Sequence, residues 1–182
     1  MHKLAMVVCS LFLFVSAASS QVPSGNVFFG YSYYNADLSS LGRSSLNGWN
    51  GSVEGKVLPW VGIVADIDGN YGSEGVPIAC TGPGPCPHVS VSVHEYNFLF
   101  GPRVSVSVGK IRPFAEALLG AGHISTHGAG SDTSFATALG GGIDYHLIPL
   151  VAWRLEGDYV QTRFFSTTQN NVRISTGIVL RF

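Results

Sequence analysis

The 182-residue sequence is short of charge, of cysteine and of long apolar runs. Charged residues make up 12% of the chain, whereas ordinary soluble domains have roughly 25%. The net charge is −1 and the basic residues are scattered, which argues against nucleic-acid binding. Beyond the N-terminus, no apolar run approaches the roughly 20 residues that a membrane-spanning helix requires. The chain is instead rich in glycine, with 23 residues, and its hydrophobic content of 46% excludes intrinsic disorder.

The apolar run at residues 4–18 has the organisation of a secretory signal peptide. A basic residue precedes it, and Ala18 and Ser20 satisfy the small-x-small rule for the cleavage site. We therefore expect a signal peptide at residues 1–20 and one exported domain at residues 21–182. The run is short for a membrane anchor, which disfavours that alternative.

Removal of the signal peptide leaves two cysteines, Cys80 and Cys86, in a segment rich in glycine and proline. Cysteines of exported proteins usually oxidise, so we predict a small disulfide-closed loop. The alternative is a metal site that adds His88 and His94 to the two thiolates. The disulfide is the preferred interpretation, and we predict neither a metal nor a cofactor.

Apolar and polar residues alternate with period two along the mature chain, which predicts β-strands. The eight alternating segments cover residues 26–35, 46–56, 60–71, 94–107, 113–125, 134–146, 151–163 and 171–182. Longer polar loops follow the odd-numbered segments, at residues 36–45, 72–93, 126–133 and 164–170. Short turns follow the second, fourth and sixth segments. This pattern predicts an all-β fold, an eight-stranded antiparallel up-and-down transmembrane β-barrel with both termini at the turn side.

Within the segments, no charged residue lies mid-strand on the apolar parity, and only Arg163, at the end of the seventh segment, shares that parity. A charge that faces lipid at mid-depth costs about 2–4 kcal/mol, so this separation is expected for a membrane barrel. A soluble barrel also alternates, but it places its apolar face inside and its charges outside. The low charge and the signal peptide favour the membrane form. Thirteen charged residues are then predicted to face the lumen: Glu54, Lys56, Asp66, Asp68, Glu95, Arg103, Glu116, Asp144, Arg154, Glu156, Asp158, Arg173 and Arg181.

The last eight residues match an outer-membrane assembly signal, with Ser175 as the polar residue, Gly177 as the glycine, Leu180 as the hydrophobic residue and Phe182 as the terminal aromatic. With this motif, the chain resembles the small outer-membrane β-barrel proteins of the eight-stranded OmpA/OmpX-like kind. The resemblance covers the whole mature chain in architecture. It implies a monomer in the bacterial outer membrane, surrounded by outer-membrane lipid and assembled through recognition of its C-terminal strand by the barrel-assembly machinery.

The predicted lumen contains eight acidic and five basic residues. An eight-stranded barrel is just wide enough for side chains to fill it, and buried charges have to be paired. We therefore predict a network of ion pairs that plugs the lumen. The alternative is a narrow path for ions or small solutes that prefers cations, because the acidic residues outnumber the basic residues by three.

Aromatic residues cluster near the ends of the segments, which predicts two belts at the membrane interfaces. The belt on the turn side comprises Trp60, Phe114, Tyr145, Trp153 and Phe182, and the belt on the loop side comprises Tyr33, Tyr71, Tyr96, Phe135 and Phe164.

His123 and Ser125 are the weak candidates for catalysis. Their His-x-Ser spacing resembles that of the outer-membrane lipid A deacylase, which is also an eight-stranded barrel. The glutamate of that family would fall near Thr137, and its asparagine after the serine is replaced by Thr126. Because a serine nucleophile needs a base that an acid orients, we predict no enzyme and keep lipid A modification as an alternative.

The loop at residues 72–93 is the longest and contains four prolines. A stiff exposed loop is suited to contact with surface ligands. The sequence therefore favours a structural or surface-interaction role.

Overall fold

The computed structural model describes residues 24–37, 43–77, 88–126, 130–164 and 167–182. They form eight antiparallel strands in which each strand pairs with the next along the chain, and the last closes against the first. The strands are β1 (Gly25–Asp37), β2 (Arg43–Leu58), β3 (Val61–Pro77), β4 (His88–Ser105), β5 (Ile111–Thr126), β6 (Gly130–Ile148), β7 (Val151–Thr162) and β8 (Gln169–Arg181). The predicted up-and-down barrel is confirmed. None of the described residues forms a helix that could span a membrane.

The two faces of the barrel wall differ in the way that the alternation predicts. In β7, Trp153 and Leu155 are exposed on the outside, while Arg154 and Glu156 between them are buried. Successive side chains of a strand point to opposite faces, so one period-two pattern supplies both an apolar outer wall and a polar interior. Large apolar side chains on the outside remain about half exposed, as is expected of a surface that lipid covers.

The end of the barrel with the short turns is called the turn end below, and the opposite end the loop end. The turn between β4 and β5 is a two-residue hairpin in which Val108 and Ile111 exchange backbone hydrogen bonds of 2.8 and 3.1 Å. Gly109 supplies the left-handed conformation there, with φ of 61°. The other two short turns are each adjoined by a register shift, in which Val57 and Leu147 are the extra, exposed residues.

The hairpins at the loop end are longer than the sequence predicts. β3 and β4 stay paired as far as Pro77 and His88, so most of the predicted loop at residues 72–93 is strand. The predicted loop at residues 126–133 is also wrong, because β5 ends at Thr126 and β6 begins at Gly130. In β4, Val93 is buried inside the barrel, and Val91, which is half-buried, has the same parity. Part of the inner face is thus apolar toward the loop end.

The expected signal peptide at residues 1–20 lies outside the described residues, as do Cys80 and Cys86. The signal peptide and the disulfide therefore stay predictions.

Candidate functional site: the filled lumen

The structure places the thirteen predicted lumen charges on the inner face of the barrel. Eleven of them are buried, while Lys56 and Arg181 at the turn end keep 13% and 19% of their side chains exposed. Their β-strands hold them there because each has the parity of the inner face. A further charge, Arg112, also points inward and is buried. The predicted fifth segment began at residue 113, which placed Arg112 in the preceding turn. In the structure β5 begins at Ile111 and includes Arg112.

Glu54 is the shared acceptor at the turn end. Its Oε1 lies 2.9 Å from Lys56 Nζ and 2.8 Å from Arg112 Nη2, and its Oε2 lies 3.6 Å from Arg103 Nη1. Asn26 Nδ2 donates a further hydrogen bond of 2.7 Å to this carboxylate. Glu54 is fully buried, so these partners replace the water that it loses.

Asp144 is the second acidic group at the turn end and is shared in the same way. Arg154 Nε donates to its Oδ1 at 2.7 Å and Arg154 Nη2 donates to its Oδ2 at 3.1 Å, a two-pronged contact. Arg181 and Arg112 lie farther away, with nitrogen–oxygen distances of 3.5 and 3.8 Å. One carboxylate therefore faces three guanidinium groups.

Two buried arginines organise the acidic groups deeper in the lumen. Arg103 contacts Glu116 at 2.5 Å and Glu156 at 3.1 Å. Oxygens of Glu116, Glu156 and Asp158 lie within 4.8 Å of one another, so their mutual repulsion has to be offset. The guanidinium group of Arg103 offsets it on one side, and Arg173 does so on the other.

Arg173 is fully buried and contacts three aspartates. Its Nη1 lies 2.7 Å from Asp66 Oδ1 and 2.6 Å from Asp68 Oδ2, and its Nη2 lies 2.8 Å from Asp158 Oδ2. The planar guanidinium group donates two hydrogen bonds to Asp158 and one to each of the other two aspartates, four in all, whereas a lysine ammonium has only three donors. Arg173 thereby ties β8 to β3 and β7 across the lumen.

Aromatic rings pack against the arginines on the inside. The guanidinium carbons of Arg103 and Arg154 lie 4.3 and 4.6 Å from the centre of the Phe114 ring, and Arg154 lies 5.0 Å from that of Phe28. Such cation–π contacts are strongest where water is excluded. The placement of Phe114 in an interfacial belt was wrong. The signal was present in the sequence, because Phe114 shares the parity of Glu116.

Glu95 lies nearer the loop end and has a different environment. It is fully buried, and its Oε1 accepts hydrogen bonds from Tyr34 at 2.8 Å and from Asn97 at 3.4 Å. Asn171 donates in turn to the Tyr34 hydroxyl at 2.9 Å. No basic side chain among the described residues forms an ion pair with Glu95. The sequence predicted that every buried charge is paired with an opposite charge. Glu95 is an exception, because neutral hydrogen-bond donors surround its carboxylate instead.

Apolar side chains form a cluster inside the barrel beyond this level, toward the loop end. Phe164, which was predicted to lie in the outer aromatic belt, is instead buried inside, where its ring packs close to Gly122. This prediction was wrong because Phe164 follows β7 and turns into the barrel mouth. The apolar cluster comprises Tyr34, Ala36, Leu46, Val64, Val93, Leu99, Leu118, Ile124, Ala136, Ala138, Val160 and Phe164.

Charge of the two signs is separated along the barrel axis. The group at the turn end has two carboxylates, Glu54 and Asp144, and four cations, Lys56, Arg112, Arg154 and Arg181. The deeper group has six carboxylates but only Arg103 and Arg173 as cations. With Arg112 included, the acidic excess of the lumen falls from three to two. The turn end is positive and the interior beyond it is negative.

The candidate catalytic residues lie on the outer face near the loop end of β5. His123 and Ser125 are both exposed, and His123 Nδ1 lies 2.7 Å from Thr133 Oγ1 on the neighbouring strand. A hydroxyl therefore contacts the ring nitrogen that the orienting acid of a triad would contact.

The residues of the C-terminal signal lie at the seam between β8 and β1. Gly177 faces Gly30 across the seam, and a Cβ on Gly177 would collide with backbone atoms of Phe29 and Gly30. Glycine thus allows the first and last strands to approach. Ser175 points inward, and Phe182 follows β8, where its backbone exchanges hydrogen bonds of 3.0 and 3.1 Å with Gly25.

Comparisons with known proteins show the same architecture. Neisserial surface protein A has 15% sequence identity and a TM-score of 0.65, over 87% of this chain and 97% of that chain. The attachment invasion locus protein Ail of Yersinia pestis, in complex with the heparin analogue sucrose octasulfate, has 15% identity and a TM-score of 0.60, over 87% of this chain and 98% of that chain. The N-terminal β-barrel domain of Pseudomonas aeruginosa OprF has 12% identity and a TM-score of 0.50, over 87% and 99%. No family model matches the sequence. No curated protein matches it either.

Proposed function

We propose that this chain, which has the fold of the eight-stranded outer-membrane β-barrels of the OmpA/OmpX-like kind, acts as a structural or surface-interaction protein whose lumen does not conduct. The observation that carries the proposal is the filled interior. Arg103, Arg154 and Arg173 are among the largest fully buried side chains. Arg103 and Arg173 reach carboxylates of non-neighbouring strands across the lumen, while Arg154 pairs with Asp144 of the adjacent strand.

Two layers support a closed lumen. An ion passing through the ionic layer would have to displace guanidinium–carboxylate pairs at 2.5–2.8 Å. It would then meet the apolar cluster around Leu46 and Phe164, where nothing replaces its hydration shell. The alternative, a cation-preferring path, needs both layers to open.

Planar-bilayer conductance of the refolded mature protein tests this proposal. We expect no reproducible steps from protein whose insertion is verified by protease protection and by heat-modifiable gel mobility. Discrete cation-selective steps that change when Arg103 or Arg154 is neutralised would replace the proposal with the channel alternative.

A surface role is supported by the long hairpin of β3 and β4, which extends farther from the barrel wall than the sequence predicts. The segment at residues 72–93 is the proposed contact for surface ligands. We do not propose a sulfated ligand, of the kind bound to Ail, for this chain. Residues near the loop end include only Arg43 and Arg163 as basic residues, without a basic cluster.

The protein is further proposed to be a monomer that outer-membrane lipid surrounds and that the barrel-assembly machinery inserts. The apolar outer wall and the seam position of Ser175, Gly177, Leu180 and Phe182 support this. Cross-linking in micelles should give a monomer, and loss of Phe182 should lower the amount of barrel in the outer membrane without preventing refolding in detergent.

The protein is proposed to lack catalytic activity, because His123 contacts a threonine hydroxyl and no acid of the known lipid A deacylase pattern is present near Thr137. Expression in a Gram-negative host should leave the mass of lipid A unchanged. A changed mass that His123→Ala and Ser125→Ala both abolish would establish the enzyme alternative.

A further inference from the structure

A cavity of about 260 Å³ opens at the turn end of the barrel, outside the ion-paired interior. It lies between the β2–β3 turn and the ends of β1 and β8. Three cationic side chains line it, Lys56, Arg112 and Arg181, together with the hydroxyl groups of Ser24 and Ser107. A water molecule occupies about 30 Å³ in the liquid, so the cavity has room for a small ion and several waters.

The carboxylates near the cavity do not neutralise all of the positive charge of the cations that line it. Glu54 is shared among Lys56, Arg112 and Arg103, and Asp144 is held chiefly by Arg154, at 2.7 Å. Among the side chains at the turn end, the four cations therefore exceed the carboxylates by two. Both carboxylates are fully buried behind the cations, so the cavity itself is lined by the positive groups.

Arg181 has hydrogen-bonding capacity that its neighbours do not use. In the part of the chain that the structure describes, its Nε and Nη2 atoms are buried and have no hydrogen-bond partner. Nη2 lies 3.5 Å from Asp144 Oδ2, which is an ion-pair distance without a hydrogen bond. Buried guanidinium N–H groups are costly to leave unsatisfied. The 19% of the Arg181 side chain that stays exposed is the part that an anion in the cavity can reach, with a charge-assisted hydrogen bond.

We propose that this cavity binds a phosphate group through Arg181, Arg112 and Lys56. Phosphate suits the site because its several oxygens can accept from donors on different strands, and because two arginines and a lysine supply charge-assisted hydrogen bonds. The net positive charge of the turn end, set in a low-dielectric mouth, raises the local concentration of anions. The phosphate is either a free anion or the headgroup of a phospholipid. This site is independent of whether the lumen conducts, so its test and the conductance test fail separately.

The test uses the protein extracted from outer membranes into dodecyl maltoside, a detergent without phosphate. Inorganic phosphate is titrated at constant ionic strength, and binding is followed by ³¹P NMR line broadening and by the thermal unfolding temperature. We expect a saturable response that Arg181→Gln weakens by about tenfold, as the loss of a charge-assisted contact predicts. Lys110→Gln is the matched control, because Lys110 is an exposed cation in the neighbouring turn and does not line the cavity.

Two results would overturn the proposal. The absence of a saturable response overturns it, and so does an equal weakening by Lys110→Gln, which would indicate general electrostatic attraction. Heat-modifiable mobility of Arg181→Gln verifies that this variant is folded, and Arg112→Gln provides a second variant that should also weaken binding. Competition by short-chain phosphatidylglycerol separates the sources: tighter binding than inorganic phosphate supports the headgroup, and weaker or equal binding supports the free anion.

Discussion

Replacement of Arg173 by methionine should destabilise the barrel more than replacement of any exposed charge. Arg173 contacts Asp66, Asp68 and Asp158 at 2.6–2.8 Å, and all four side chains have 0% exposure within these ion pairs. Methionine keeps much of the side-chain volume but removes the cation. The three buried carboxylates would then repel one another, and no other cation among the described residues forms an ion pair with them.

The expected loss in the free energy of unfolding is about 3–5 kcal/mol, the range for a buried ion pair from which one partner is removed. Asp66 and Asp68 keep hydrogen bonds from Asn50, Asn70 and Asn97, which moderates the loss. The loss for Arg173→Lys should lie between zero and the loss for Arg173→Met, because lysine keeps the positive charge but lacks the planar guanidinium group.

Urea unfolding in micelles, followed by tryptophan fluorescence, measures this difference. Arg43→Met is the control, since Arg43 is exposed and donates one hydrogen bond of 3.0 Å to Asn35; it should change stability by no more than about 0.5 kcal/mol. In a double-mutant cycle, Asp158→Asn should recover part of the loss caused by Arg173→Met. A loss for Arg173→Met below about 1 kcal/mol, or one equal to that of Arg43→Met, would refute the view that the ionic layer stabilises the barrel.

Two further predictions compare matched positions on the barrel wall. Gly140→Ala should lower the free energy of unfolding by about 1–3 kcal/mol through overpacking, because a Cβ there collides with Asp158. Gly157→Ala on the neighbouring strand should be tolerated, since nothing lies within 4 Å of its Cβ position. Equal urea midpoints for the two variants would contradict this prediction. Leu139→Arg, on the outer face at the middle of β6, should cost about 2–4 kcal/mol in lipid vesicles, whereas Leu147→Arg at the turn end should cost about 0–1 kcal/mol. A similar loss at both positions would show that depth in the membrane does not set the cost.

Residues near strand ends show where the period-two pattern stops being informative. The parity of Arg154, Glu156 and Trp153 assigns each to a face, because a strand that crosses the wall has one apolar and one polar side. Arg112 was missed because a two-residue error in the start of β5 moved it from the lumen to a turn. Phe114 was misplaced because its position near a strand end was weighed above its parity.

The character of the inner face also changes along the barrel axis, from charged at the turn end to apolar toward the loop end. The alternation rule assumes instead that the inner face is polar along its whole length. Val93 and Phe164 belong to an apolar cluster inside the loop end, where the barrel wall resembles that of a soluble protein. The alternation predicts that the fourth segment begins at residue 94 and that residues 72–93 form a loop. The structure instead continues β4 to His88 with the same register.

The number of strands, their order and the face of most charged residues follow from the amino-acid sequence, because alternation is a local property of each strand. Which charges meet depends instead on how the strands are arranged in the barrel. Arg173 contacts aspartates about 105 residues away in the chain, and the cations of the turn end converge on one cavity because barrel closure and strand register fix their heights. Register is a relation between strands, and no single segment of sequence contains it.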